Sequence, residues 1–244
     1  MTADGAPELR GNLEERTEYE RQRRLEAAYT TSPYCRKIWR PDSPASRLMV
    51  ERKWALITAL LAQEGIDLRS ARVLDLGVGV GADGERFKDL GARAERFLGL
   101  DFLQRCARGA REKNPWMSTI AGDACRLPLP AARFDLVYQS TMLSSVPQPD
   151  RRAAAFREID RVLAPGGVFL SFDTRYPNPW NPHTRPLTAR VFRDAFPGWP
   201  LTIWSNTAIP QLQRALAPYS IAACRLLERI PFLRSHLLVL ARKV

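Results

Sequence analysis

The chain has 244 residues, 45% of them hydrophobic, which suits one α/β domain with an appendage, or two small domains, around a sizeable core. It holds no apolar run long enough to span a bilayer and starts polar and charged, so neither a membrane span nor a secretory leader is expected, and a cytoplasmic protein is. The net charge of +11 would suit nucleic acid or an anionic surface, but arginine dominates and no contiguous basic block occurs, so the charge is expected to be spread over the surface.

Residues 1–12 are expected to be disordered, and 13–29 to form a helix of mixed charge with sparse apolar points at Leu13, Leu25 and Tyr29. "TTSPYCRKIWRPDSP" is a Pro-punctuated loop. Apolar spacing through Leu48, Met49, Trp54, Leu56, Ile57, Leu60 and Leu61 predicts a helix over Ala45–Glu64, closed by Gly65. Together, residues 1–64 form a helical extension before the main domain, 65–244.

From Arg72 the pattern alternates. "RVLDLG", "ERFLGLD", "MSTIAGD", "FDLVYQS" and "VFLSFD" are predicted strands; helices near 82–90 and in "FLQRCARGAREKN" and "PDRRAAAFREIDRVLA" separate them, and a "PGG" turn precedes the fifth strand. Such alternation implies βαβ units and a mainly parallel sheet. After Asp173 comes the rigid loop "TRYPNPWNPHTRP", then a helix in "LTARVFRDAF", a strand "WPLTIWSN", one or two helices broken at Pro218, and a closing strand "HLLVLARKV". The cysteines, Cys35, Cys106, Cys125 and Cys224, lie far apart with no CxxC pair, which points to reduced thiols, and no His/Asp/Glu cluster calls for a metal.

The chemistry concentrates in "VLDLGVGVGADGERF". Gly77, Gly79 and Gly81 follow a strand and precede a helix, where open α/β sheets bind ligands. Taken alone, Gly77, Gly79 and Ala82 also satisfy a dinucleotide fingerprint. Asp101 ends the second strand and can accept both hydroxyls of a ribose; its plain alternative is a helix cap. Asp123 ends the third strand, placed to meet an adenine amino group or merely to cap a turn. Asp75 lies inside the first strand, where a carboxylate is costly unless it faces a cavity or a partner. That position suits an adenosine ligand with an amine-bearing end better than a nicotinamide dinucleotide.

With "VLDLGVGVG", "LGLD", "AGDACRLPL", "FDLVYQSTMLSSV" and "RVLAPGGVFLSFD" in order, the chain resembles the class I S-adenosylmethionine-dependent methyltransferases of the type 11 kind. The resemblance covers about 72–173 and implies a Rossmann-like seven-stranded sheet, mainly parallel, with helices on both faces and the last strand antiparallel. It further implies an N-terminal helical lid, an acceptor-binding insertion at about 174–235, and S-adenosyl-L-methionine as cofactor, leaving as S-adenosyl-L-homocysteine. Asp75, Gly77, Gly79, Gly81, Asp101, Phe102, Gly122, Asp123, Ala124 and Gln139 fall at cofactor-binding places. "YQSTMLSSV", "FDTRYPNPWNPHTR" and "IPFLRSHLLVLARK" resemble a bacterial subfamily associated with glycan or secondary-metabolite gene clusters.

Methyl transfer from a sulfonium is an in-line displacement with an activated leaving group, so alignment and water exclusion matter most, and a general base assists a hydroxyl acceptor. Candidate acceptor contacts are Ser140, Met142, Arg175, Tyr176 and Asn178; candidate bases are His183, Asp173 and His236, each with a structural alternative as a capping or hydrogen-bonding group. The expected function is O-methylation of a small natural product or glycan. Alternatives are an RNA or protein methyltransferase, an NAD-dependent oxidoreductase, and a binding scaffold. The first lacks an Asn/Asp-Pro-Pro-Tyr/Phe signature after strand four and any appended RNA-binding module. No specific nucleic-acid partner is expected, and the oligomeric state, monomer or homodimer, is left open.

Overall fold

The structure is a computed structural model that describes residues 13–31, 40, 42–177 and 184–244, and the side chains of most of them. Seven strands form one sheet: β1 (Val73–Leu76), β2 (Phe97–Asp101), β3 (Ser118–Ala121), β4 (Phe134–Ser140), β5 (Leu163–Thr174), β6 (Leu201–Ala208) and β7 (Arg234–Arg242), in the order β3-β2-β1-β4-β5-β7-β6. The pairs β1–β2, β1–β4, β2–β3 and β4–β5 are parallel, and β7 is antiparallel to both β5 and β6. The order reverses between β2 and β4, beside β1, so a crevice opens past the carboxyl end of β1.

Among the described residues the helices are α1 (Leu13–Thr31), α2 (Pro44–Gln63), α3 (Gly84–Asp89), α4 (Gln104–Lys113), α5 (Pro149–Val162), α6 (Ala189–Ala195), α7 (Pro210–Leu216) and α8 (Ile221–Leu227). Pro44 opens α2 behind Ser43, whose Oγ accepts the Ser46 N–H at 3.2 Å. Gly65, at φ +67°, closes it, and the Ile66 N–H reaches back to the Leu61 carbonyl.

Alternation along the strands gives each face of the sheet its own core. One face packs Trp54 and Ile57 of α2 and Phe87 of α3 against Val73, Tyr138, Phe172 and Leu238. The other packs Phe156 and Ile159 of α5 and Phe192 of α6 against Leu74, Val137, Phe169 and Val239.

Two local expectations change. The helix predicted near 82–90 starts only at Gly84, because the glycine loop runs on through Gly81 at φ +72°. The "PGG" turn lies inside β5: the ladder to β4 shifts register between Phe134 and Leu136, and Gly166 takes φ +74°. The C-terminal helices break around Pro218 into α7 and α8, as the sequence suggests.

Candidate active site

The glycine loop hangs from β2. Gly77 and Val78 both donate their N–H groups to the Leu100 carbonyl, at 2.7 and 3.0 Å. Gly77, Gly79 and Gly81 all have positive φ. A Cβ at Gly77 would stand 2.4 Å from Met142 Cγ, so only glycine lets the β4 segment close on the loop. At Gly79 an added Cβ would meet nothing within 4 Å, so its backbone faces open space.

Two adjoining cavities flank this loop. One, about 100 Å³, is bordered by Asp101, Phe102, Gly122, Asp123, Ala124 and Arg151, among others. The other, about 430 Å³, is bordered by Lys53, Asp75, Gly79, Asp83, Ser140 and Thr141, among others. Gln22, Gly77, Asp101, Met142 and Ser145 border both, so they form one cleft over the carboxyl ends of β1, β2 and β4.

Three carboxyl groups sit close to the loop. Asp101 accepts the Gly79 N–H on Oδ2 and the Leu103 N–H on Oδ1, both at 2.9 Å. Burial raises its pKa, and those two donors partly offset the rise. Asp75 lines the cleft at 3% exposure, and no hydrogen bond to its carboxyl is made among the described residues. Burial pushes it well above the usual carboxylate range; the Asp83 charge adds to the rise and Lys53 opposes it. Asp83 is the reverse case. Burial would raise it, but the Lys53 charge outweighs burial, together with donors from Lys53, Tyr138 and Trp54, and the net shift is downward.

That last group was missed in the sequence. Lys53 Nζ lies 2.8 Å from both Asp83 oxygens, Tyr138 Oη donates to Asp83 at 2.8 Å, and Trp54 Nε1 donates at 3.0 Å. Lys53 Nζ also reaches Ser140 Oγ at 3.5 Å. A signal was present: Lys53 occupies the buried stripe of α2 with Trp54, Ile57, Leu60 and Leu61.

Helix α1 lies across the mouth of the cleft. Arg21 and Gln22 donate to the Ser145 carbonyl at 2.7 and 3.0 Å, and Glu18, 5% exposed, accepts from Gln148 at 3.0 Å. Tyr19 packs on Phe102, with ring centroids 5.9 Å apart.

Residues 73–167 match the methyltransferase domain family. The likeness is confined to these residues, less than half of the chain. A demethylmenaquinone methyltransferase of Streptomyces griseus is 31% identical over 129 residues, 52% of this chain and 53% of that one. The chain thus spans about half the length of the curated relatives it matches. A solved S-adenosylmethionine-dependent methyltransferase from Mesorhizobium loti superposes with a TM-score of 0.59 at 22% identity, over 79% of this chain and 98% of that one. A putative sarcosine dimethylglycine methyltransferase from Galdieria sulphuraria gives 0.63 at 16%, over 81% and 88%. Both likenesses are of fold.

The fold brings Asp75, Gly77, Gly79, Asp101, Phe102, Gly122, Asp123 and Ala124 to the cleft; Gly81 lies at the loop's far end, packed on Asn114 and Ala110. Asp123 there is held by Arg151 Nη2 at 2.7 Å and the Cys125 N–H at 2.8 Å. Gln139 is fully buried outside the cleft lining: its Oε1 accepts the Met142 N–H at 2.9 Å and its Nε2 bonds Ser171 and Asp173. Asp173 accepts the Ser144 and Thr174 N–H groups at 3.1 and 2.8 Å, and burial raises its pKa to about 6. Both side chains brace the turn after β4.

His236 pairs with Thr174, one residue along from Asp173, and so projects from the opposite face of the sheet. It stacks on Phe172 at 4.8 Å, and burial, with Lys53 and Arg214 nearby, lowers its pKa to about 4. Neither Asp173 nor His236 lines the two cavities. Ser140 and Met142 do; Arg175 and Tyr176 instead tie the end of β5 to the carbonyls of Pro231 and Phe232. His183 and Asn178 lie outside the described residues. Among the described residues no group of three or more His, Cys, Asp and Glu side chains is arranged to hold a metal, and no helix is long and apolar enough to cross a membrane.

Proposed function

We propose that the chain is a methyltransferase that uses S-adenosylmethionine to methylate a small molecule or glycan, with oxygen as the accepting atom. The observation that carries this reading is the continuous cleft, with Asp123 and Phe102 at one end, Asp101 and the glycine loop in the middle, and Asp75, Lys53 and Ser140 at the other. Asp101 would hold the ribose, Phe102, Gly122 and Ala124 the adenine, and the open backbone at Gly79 with the unpaired Asp75 the methionyl end. Asp123, already paired with Arg151, would reach the adenine edge with its remaining lone pairs.

S-adenosylmethionine supplies a methyl group on a sulfonium, already activated to leave. The chain's own residues then orient the acceptor and exclude water. Ser140, Thr141 and Met142 present that surface, and α1, through Glu18 and Gln22, acts as the lid. A base with a pKa of about 4 is poorly matched to neutral pH, which weighs against His236, and Asp173 acts as a brace. His183 remains the base candidate, and Asn178 a candidate acceptor contact; both lie outside the described residues.

A second reading has an observation of its own. The name of the Streptomyces relative assigns that protein a quinone precursor as acceptor, so a quinol-type ring is the other small-molecule class to test here. The RNA or protein reading gains nothing comparable, since several arginines are spent on internal pairs with Asp135, Asp123, Glu158 and Glu64.

The test is transfer of labelled methyl from S-adenosylmethionine to panels of glycans, hydroxylated metabolites and quinols, with RNA and protein as comparison arms. Label in a hydroxyl-bearing small molecule or glycan is expected. Label confined to RNA or protein overturns the reading, and label on a quinol ring carbon moves it to the second.

A further inference from the structure

The outer face of α7 and α8 has no role in the cleft. It lies at the same edge of the sheet, because α7 follows the carboxyl end of β6 and the turn at Pro231–Leu233 leads into the amino end of β7. Four large apolar side chains stand out of this one segment: Leu212 at 39% exposure, Tyr219 at 88%, Leu226 at 61% and Phe232 at 69%. On α8 the exposed positions 222, 225 and 226 share one face, Ala222, Arg225 and Leu226, and the exposed Arg229 follows in the turn after the helix.

The exposed charge of the segment itself has one sign. Residues 209–234 contain Arg214, Arg225, Arg229 and Arg234 and a single carboxylate, Glu228. Glu228 is 3% exposed and is paired with Arg52. Arg225 and Arg229 are exposed and make no ion pair among the described residues. Exposed Leu, Tyr and Phe side chains on two short helices and the turns that follow them, with cations but no exposed carboxylate in the same segment, suit a surface that lies in a bilayer interface. At 61–88% exposure, Tyr219, Leu226 and Phe232 are placed for penetration between lipid headgroups.

We propose that the α7–α8 face docks the protein on an anionic membrane surface, with Leu226 and Phe232 entering the interface and Arg225 and Arg229 over the anionic headgroups. Docking there holds the sheet edge that carries the cleft close to the bilayer. The assignment is independent of the methyltransferase reading, which stands or falls on cofactor binding.

The test is sedimentation of the full chain with vesicles of pure phosphatidylcholine and of phosphatidylcholine with phosphatidylglycerol. The protein is expected to partition onto the phosphatidylglycerol vesicles and far less onto the others. Arg225→Gln with Arg229→Gln should weaken partition about 25-fold, at about fivefold for each arginine. Leu226→Glu with Phe232→Glu should weaken it more than tenfold at unchanged circular dichroism and unchanged S-adenosylhomocysteine affinity. No partition of the parent chain, or partition unaffected by both double variants, overturns the proposal. So does a dimeric parent that Leu226→Glu with Phe232→Glu turns monomeric, since the face would then bind a second copy.

Discussion

Replacing Lys53 with methionine keeps the length of the side chain and removes its charge from a buried pair. In the parent, Nζ lies 2.8 Å from both oxygens of Asp83, and the two side chains are 9% and 15% exposed. Breaking such a pair from one side leaves a buried charge and costs about 3–5 kcal/mol. Asp83 keeps its donors from Tyr138 and Trp54, so the low end, about 3 kcal/mol, is expected. For a chain of this length that lowers Tm by roughly 6–12 °C, read by circular dichroism melting at neutral pH. The pH dependence fixes the cause. In the parent, Asp83 is held below its ordinary value, so its stabilisation is present above the unfolded carboxylate pKa and is lost as pH falls through the lowered one. In Lys53→Met, burial acts on Asp83 without that opposing charge and its pKa rises, so the deficit shrinks on acidification as Asp83 takes up a proton. Adding Asp83→Asn should recover most of the loss. A deficit under about 1 kcal/mol, or one that grows on acidification, refutes this account of the pair.

Asp75→Asn imitates the protonated carboxyl that burial favours, so the melting temperature at neutral pH should hold or rise while S-adenosylhomocysteine affinity falls; unchanged affinity would confine Asp75 to supporting the loop. Gly77→Ala forces a side chain into φ +79° and against Met142, and more than tenfold weaker cofactor binding by calorimetry is expected; affinity close to that of the parent would contradict the close approach of the β4 segment to the loop. His236 has its folded pKa lowered to about 4, so its effect on stability is complete above its unfolded value near 6.5 and is lost between there and about 4 as pH falls. Denaturant titrations across that window should show parent stability gaining on His236→Phe by up to ~3 kcal/mol as pH rises, and a flat difference would remove the burial argument.

The fold was legible where periodicity carries it. Strands rich in Val, Leu and Phe alternate with helices, and that rhythm orders β1 to β5 as found. That Gly77, Asp101 and Asp123 meet at one cleft was legible for a related reason: they come one after another at strand ends, and in a parallel sheet strand ends on one edge become neighbours. What failed to show is what depends on register or on reach across the fold. Asp173 and His236 both sit at an edge near the acceptor side, yet one position of offset in the β5–β7 ladder sends them to opposite faces. Gln139 ends a strand at the right edge but points into the turn it braces. Lys53 belongs to a helix whose spacing marks a buried stripe, and nothing in that spacing tells which carboxylate it meets; Asp83 fell inside the helix predicted near 82–90. The "PGG" segment carries every mark of a turn and is absorbed into β5 as a register shift.

The central claim is that the cleft around Gly79 and Asp101 takes an adenosine ligand with an amino-acid end. Calorimetric titration of the parent and of Asp101→Ala with S-adenosylhomocysteine and with NAD tests it most directly. The account predicts that the parent binds S-adenosylhomocysteine and not NAD, and that Asp101→Ala binds it more weakly. Tighter binding of NAD, or S-adenosylhomocysteine affinity untouched by Asp101→Ala, would contradict it.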